Sequence, residues 1–449
     1  NVSCSRCLRL SVLYTLLKIF VKTFGIGFFL SGTYWISYSL TFDESLKILM
    51  PFSIILIPLF LGLFFGFASL FSGPFIKKNY SSFFLFCLIF SITDYLRGKI
   101  LSGFPWNLWS YSWSWLVEVI QVLNPIGLYA FNSISIVFFC SPVILFFKSK
   151  YKYFIFSIFL LIFFSFYIYG SYKINNNQEA TKGIKETTNV KIISPNFDMR
   201  YIHTEDEIKK TIKKIVRYSE PDPSKNTVFV WPEGIFAGVY LEDLKKFSHI
   251  FSKNYSENHL LIFGINTQDK STNSYYNSLV ATNNNLDILY KYDKKKLVPF
   301  GEFLPFENFL EKFGLKKITY GYGSFSKGSD QKNFKFKNLN ILPLICYEII
   351  FPNLTQNSEK KTNMIINISE DAWFGNSIGP HQHFAHGVFR SIEEGKNVIR
   401  STNNGISAFI DVNGRVISHL ESTQRGVIEI TKYKKFNETL FSKFGNKIF

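Results

Sequence analysis

Three side chains in the second half of the chain have the types and settings that acyl transfer needs. Glu233 follows the apolar run Val228-Phe229-Val230-Trp231-Pro232. Lys294 follows a run ending at Tyr292 and leads into Leu297-Val298-Pro299-Phe300-Gly301-Glu302. Cys346 follows Ile341-Leu342-Pro343-Leu344-Ile345 and precedes Tyr347-Glu348. A thiol attacks carbonyls once it gives up its proton, and a nearby cation lowers the pKa at which it does so. A carboxylate closed off from water has its own pKa raised, so it can take that proton and return it to a leaving group. An ammonium, with the backbone N–H after the nucleophile, can hold the oxyanion of a tetrahedral intermediate. Together these groups make covalent acyl transfer possible. Taken singly, each has an inert reading. Glu233 could be a surface turn, Lys294 part of a solvated run with Lys295 and Lys296, and Cys346 a buried thiol.

Cys346 is the only cysteine after residue 140, so the second half forms no internal disulfide. Cys87 and Cys140 sit in apolar runs, where cysteine acts as a small hydrophobe. Cys4 and Cys7 form a C-x-x-C without a second pair or a β-α-β context, a weak redox or metal signal.

Positioning the three groups requires strands, and the pattern supplies them. Strands are expected at Val190–Ser194, Thr227–Trp231, Leu260–Ile265, Asn277–Thr282, Leu286–Tyr292, Ile341–Cys346, Met364–Ile368, Gly405–Asp411 and Gly426–Ile430. Helices are expected at Glu205–Tyr218, Leu241–Lys253 and His381–Gly395, with a turn at Asn413-Gly414. This is an α/β arrangement of sheets flanked by helices. Strand ends carry sites in such folds because the sheet fixes the backbone while loops shape the pocket.

Residues 1 to 170 read differently. A membrane-crossing helix takes about 20 apolar residues. Candidates are Phe24–Leu40, Ile48–Phe71, Phe83–Thr93, Ile126–Phe147 and Tyr153–Tyr169. Trp115–Leu123, with Glu118, reads as an interfacial stretch. Aromatic residues make up 18% of the chain and Phe alone numbers 51, which excludes an ordinary soluble core. Cations cluster on one side of these spans: Arg6, Arg9, Lys18 and Lys22, then Lys77 and Lys78, then Lys148, Lys150 and Lys152. The other side has Lys47, Arg97 and Lys99. The positive-inside rule makes the first side cytoplasmic, so an odd number of spans sends everything after residue 170 outward. The net charge of +17 comes from lysines scattered along amphipathic segments and does not indicate nucleic-acid binding.

Longer motifs sharpen the reading. Trp231-Pro232-Glu233, Lys294 with Leu297 to Pro305, Cys346 to Pro352, and Asp371-Ala372-Trp373-Phe374-Gly375 resemble the nitrilase-type domain of bacterial apolipoprotein N-acyltransferases. Ser377 to His383, Arg400 to Ile406, Gly27 to Ile36, Leu96-Arg97-Gly98 and Ser102 to Trp106 extend the resemblance over nearly the whole chain. It implies a transmembrane helix bundle over 1–174, an extracytoplasmic nitrilase-like αββα sandwich over 175–435, and a segment 436–449 leading toward a further helix. Both ends of the chain read as truncated. The resemblance also implies an enzyme of lipoprotein biosynthesis in the bacterial inner membrane, its site facing the periplasm. It moves a phospholipid sn-1 acyl chain through a cysteine thioester to the α-amine of a diacylglyceryl-cysteine. No metal, cofactor or nucleic acid is implied, and a monomer is expected.

Carried over by position, Glu233 matches the general base, Lys294 the lysine that stabilises the intermediate, and Cys346 the nucleophile. Lys295 is the fallback for Lys294. Glu302, Tyr347 and Glu348 match supporting residues. Phe104, Pro105, Trp106 and Trp373 are candidates for lipid contact. His381, His383 and His386 have metal-like spacing but fall in a run that is structural in the family. The chain departs from the family at Ser194 to His203, where a tryptophan is absent and Tyr201 or His203 stands in. Two alternatives share part of this pattern: a membrane-anchored nitrilase-type amidase, and an inactive lipid-binding homologue.

Overall fold

In this computed structural model the described residues are 23–179, 188–202, 204–310, 312, 317–318, 324–329, 332–356, 362–433 and 438–448. Cys4, Cys7, His203 and the basic residues before Thr23 lie outside them. The described residues up to Asn175, with those from Phe444 onward, form one compact unit, and those between Asn176 and Lys443 form the other.

The first unit is helical. Helix α1 (23–33) runs into a 3-10 stretch, Tyr34–Phe42. Helices α2 (Met50–Ser72), α3 (Tyr80–Arg97), α4 (Leu123–Cys140) and α5 (Lys152–Glu179) follow. Among the described residues three helical stretches are long and apolar enough to cross a membrane: Lys47–Phe75, Val119–Phe146 and Lys152–Asn176. The other two expected spans form α1 with its 3-10 extension and α3, which carries Asp94 and Arg97 near its end. Phe154 and Leu161 of α5 are more than 60% exposed, a surface that water would not tolerate and lipid would. Where α1 meets α2, a Cβ on Gly62 would stand 3.1 Å from the Ile26 backbone nitrogen, so a small residue lets the backbones approach.

One buried polar cluster in this unit is internally paired. Arg97 and Asp94 form a fully buried ion pair, and Asn132 of α4 donates to Asp94 Oδ2 at 3.1 Å. Arg97 Nη1 also donates to the carbonyls of Phe104 and Trp106, each at 2.7 Å. Those bonds satisfy charges that would be costly in an apolar setting, and they fix the Phe104-Pro105-Trp106 loop.

The second unit is a sandwich of two six-stranded sheets. The first has the order β12-β1-β2-β3-β4-β5: β1 is Asn189–Ser194, β2 Thr227–Val230, β3 His259–Asp269, β4 Ser274–Thr282, β5 Ile288–Asp293 and β12 Gly426–Ile430. The second has the order β11-β10-β9-β8-β7-β6: β6 is Phe334–Phe336, β7 Leu339–Ile345, β8 Met364–Glu370, β9 Asn397–Asn403, β10 Ser407–Ile410 and β11 Val416–Leu420. In each sheet three central strands are parallel and the outer pairs antiparallel. Strands buried on both faces read as continuous apolar runs, as β2 does with Thr-Val-Phe-Val.

Helix α6 (Glu205–Ser219) opens with a Thr204–Glu207 capping box and turns Ile208, Ile212 and Ile215 onto the first sheet beside Phe229 and Trp231. Helix α7 (Gly379–Glu394) connects β8 to β9. The sheets touch through Ser401 of β9, whose hydroxyl lies 2.9 Å from the Ile193 carbonyl and 3.1 Å from that of Val230.

Three strands, β6, β9 and β11, were not expected. The expected helix Leu241–Lys253 is two short ones, Leu241–Lys245 and Ser248–Asn254, broken where Phe247 turns into the core. The Asn413-Gly414 turn forms, with Asp411 Oδ1 accepting from the backbone nitrogens of Asn413 and Arg415.

Candidate active site

Cys346 is the first residue after β7 and opens a 3-10 turn, Cys346–Ile350. Its φ is +49°, a left-handed conformation that costs a non-glycine residue about 1–3 kcal/mol and is found where function demands it. Glu233 stands just past β2, after Trp231 is buried in the core with its Nε1 on Ser219 Oγ at 3.0 Å. The loop carrying Glu233 lies flat on β3, because a Cβ at Gly264 would come within 2.9 Å of Glu233 Cα. Lys294 follows β5, its backbone nitrogen on the Asn277 carbonyl at 2.9 Å.

These elements bring the charged groups together. Lys294 Nζ is 2.9 Å from Glu302 Oε1 and 3.7 Å from Glu233 Oε1. The Asn277 amide bridges both acids, donating at 2.7 Å to Glu233 Oε1 and at 2.7 Å to Glu302 Oε1. Glu302 Oε2 accepts from the Val298 backbone at 2.9 Å, and Glu233 Oε2 from that of Glu370 at 3.2 Å. Lys294 is 1% exposed, whereas Lys295 is half-buried and gives its backbone nitrogen to Glu348.

The electrostatics favour proton transfer during attack over a standing thiolate. Burial pushes the Cys346 thiol up, the Glu233 charge adds to this, and the lowering effect of Lys294 is smaller than burial. The expected lowering by a nearby cation is present, from Lys294, but burial outweighs it. Burial also raises Glu233 above the usual carboxylate range, against the opposing pull of Lys294. A base raised in this way takes a thiol proton more readily. Burial opposes the charge on Lys294, but the Glu302 and Glu233 carboxylates outweigh it and hold the ammonium charged.

Glu348 is fully buried and acts as a brace. Its Oε1 accepts from Tyr292 Oη at 2.7 Å and from the backbones of Lys295 at 2.8 Å and Lys296 at 3.1 Å. Its Oε2 accepts from the Ile345 backbone at 2.9 Å. One carboxylate thus ties the end of β5, on both sides of Lys294, to the end of β7, next to Cys346. Tyr347 is buried with its ring edge-on to Phe351 at 5.1 Å.

Two residues at the site were not singled out from the sequence. Asn277 was read only as the start of an apolar strand. Glu370, at the end of β8, accepts from Asn403 Nδ2 at 2.7 Å and from the Ala372 backbone at 3.0 Å, and burial lifts its carboxyl to about 8. For Glu370 the available signal was a polar residue at the end of an apolar strand; Asn277, inside β4, offered no such signal.

The remaining candidates are placed as follows. Phe104, Pro105 and Trp106 belong to the helical unit, where Trp106 is buried against Trp35 with ring centroids 5.1 Å apart. Trp373 is half-buried in the 3-10 turn after β8. Tyr201 is half-buried beside Gly238. His381 is exposed while His383 and His386 are buried, and no metal-binding group of three His, Cys, Asp or Glu occurs among the described residues.

Two facing mixed sheets with helices outside, and a cysteine, lysine and glutamate gathered at strand ends, define a carbon-nitrogen hydrolase domain of nitrilase type. The carbon-nitrogen hydrolase family model matches residues 206–431, and the apolipoprotein N-acyltransferase N-terminal domain model matches residues 14–141. The apolipoprotein N-acyltransferase of Rickettsia bellii is 33% identical over 94% of this chain and 84% of its own. That of Brucella melitensis is 30% identical over 90% of this chain and 78% of its own. An amidase from Nesterenkonia sp. AN1 superposes with a TM-score of 0.41 at 13% identity, covering 54% of this chain and 92% of that one. The chain belongs to the apolipoprotein N-acyltransferase family. It is an acyltransferase and a membrane protein.

Proposed function

We propose that the enzyme moves an sn-1 acyl chain from a phospholipid, through a thioester on Cys346, to the α-amine of the diacylglyceryl-cysteine that begins an apolipoprotein. The observation that carries this reading is the buried set of Glu233, Lys294, Glu302 and Asn277 around the Cys346 thiol. Taking the thiol proton onto Glu233 leaves the negative charge on Sγ, within the field of the Lys294 ammonium.

In the first half-reaction the Cys346 Sγ–H proton goes to Glu233 as Sγ attacks the ester carbonyl. Lys294 and the Tyr347 backbone N–H hold the oxyanion. The ester C–O bond breaks, Glu233 gives its proton to the departing alkoxide, and a lysophospholipid leaves. In the second half the amine nitrogen attacks the thioester carbonyl and Glu233 accepts its proton. The amide forms and Sγ departs, regaining the proton from Glu233. Glu302 and Glu348 hold Lys294 in place, and Tyr347 lines the site. Phe104, Pro105, Trp106 and Trp373 are the residues we assign to lipid contact.

Both substrates carry long acyl chains, and each buried CH₂ contributes about 0.8 kcal/mol, so neither leaves a bilayer cheaply. A catalytic domain over 175–435 attached to a membrane bundle over 1–174, with 436–449 returning toward the membrane, answers that need. We place the site on the periplasmic side of the inner membrane, in a monomer. The five spans expected from the sequence and the three that qualify among the described residues are both odd in number, and the loop cations favour a cytoplasmic start.

The test separates transfer from hydrolysis. Enzyme loaded with phospholipid is mixed with a diacylated lipopeptide bearing a free α-amine, or with its N-acetylated form. The free amine should discharge the thioester and yield triacylated peptide, while the blocked one should not. Discharge to free fatty acid at one rate with either peptide would mean a hydrolase of the amidase type.

A further inference from the structure

Asn367, Ser369, Asp371, His383 and Arg400 form a polar cluster beneath Cys346, and each is 0% exposed. They come from β8, the turn after it, α7 and β9. Arg400 Nη2 lies 2.8 Å from Asp371 Oδ2 and 2.9 Å from His383 Nδ1, and Arg400 Nη1 donates to Asn367 Oδ1. Ser369 Oγ donates to Asp371 Oδ1 at 2.7 Å, and His383 Nδ1 is 3.1 Å from that same oxygen. A Cβ on Gly405 would fall 2.3 Å from Asp371 Oδ2, so the chain leaves room for this carboxylate.

The cluster ends on the nucleophile. His383 Nε2 and Asn367 Nδ2 both stand 3.3 Å from the Cys346 carbonyl oxygen. At Nδ1 the Arg400 guanidinium can only donate and the Asp371 carboxylate can only accept; the shorter Arg400 contact, together with the carbonyl facing Nε2, puts the ring proton on Nε2. The other tautomer would serve Asp371 Oδ1, which Ser369 already serves, but would set N–H against N–H at Arg400 and a lone pair against the carbonyl oxygen. Arg400 likewise fixes the Asn367 amide, because it takes Oδ1 and leaves Nδ2 to donate. Burial and the Arg400 charge keep His383 below the usual histidine range, in keeping with a neutral ring.

We propose that His383 and Asn367 are positioning residues that clamp the Cys346 carbonyl and so hold the nucleophile in its left-handed turn, with Arg400, itself held by Asp371, setting both donors. They act through the backbone of Cys346, which must stay at a φ it would not choose alone. The proposal rests on Cys346 being the nucleophile.

The test uses the full chain in phospholipid-containing micelles and follows single-turnover acylation of Cys346 by intact mass. His383→Phe keeps a planar ring but removes the donor. It should slow acylation about 100-fold, the scale of a small misplacement of a reacting group, while the phospholipid KM stays within about 2-fold of wild type. His383→Gln carries an amide N–H close to the place of Nε2 and should recover most of the rate. If His383→Phe does not fold, His383→Gln against the shorter His383→Asn decides, the first being the faster. Equal rates in the Gln and Phe variants, or in the Gln and Asn variants, would overturn the clamp, as would wild-type acylation by His383→Phe. Absence of any adduct on wild-type Cys346 is a separate result and would overturn the nucleophile itself.

Discussion

Glu370 shows how a single buried group writes itself into the behaviour of the fold. Its carboxyl sits at about 8 in the folded chain against an ordinary value near 4.5, with burial the main cause. Between those values the folded state holds a proton that the unfolded state has lost. Stability must therefore fall as pH rises through that window, with a slope of up to roughly 1.4 kcal/mol per pH unit from this one group. Glu370→Gln removes the proton equilibrium while keeping the size. We expect its thermal midpoint, relative to wild type, to climb between about pH 5 and pH 8. A difference that stays flat over that range would show that Glu370 ionises freely in the folded protein. The trio at the site was easier to read than Glu370, because each member directly follows an apolar run. Glu370 sits inside the run Met364 to Glu370 and before Asp371, where an acid looks like the start of a loop.

The strands and turns decide whether the residues meet. Glu348 is the clearest case, since it joins the ends of β5 and β7 through four bonds. Glu348→Gln keeps an acceptor but turns an N–H toward at least one of the four donors. An unsatisfied buried donor costs about 1–3 kcal/mol, so the thermal midpoint should fall. The acylation rate should fall further than the midpoint alone explains, because Lys294 lies between the residues the brace holds. A variant with unchanged midpoint and unchanged acylation would remove Glu348 from the account.

Element-level reasoning from sequence worked where burial and apolarity coincide. It failed at β9. Asn397–Asn403 reads Asn-Val-Ile-Arg-Ser-Thr-Asn, yet all seven residues are buried. This strand spends its polar side chains on the inter-sheet contact at Ser401, the clamp at Arg400 and the Glu370 bond at Asn403. Polarity there marks chemistry in the core, and a pattern that equates polar with exposed passes over it. β6 and β11 were missed for a plainer reason: they are outermost in their sheet and short.

At the scale of the molecule, composition alone separated the two halves. Long Phe-rich helices and an ordinary Lys- and Asn-rich α/β domain have different solvents, and the residues divide accordingly. The covalent step follows from the second half, and the lipid nature of the substrates from the family and the first. The account's central claim is that Cys346 carries an acyl group drawn from a phospholipid. Incubating the full-length protein with phospholipid and weighing it intact tests this directly. The account predicts an added acyl mass that hydroxylamine removes and that Cys346→Ala never acquires. A wild-type protein that gains no mass, or an adduct that persists in Cys346→Ala, would contradict it.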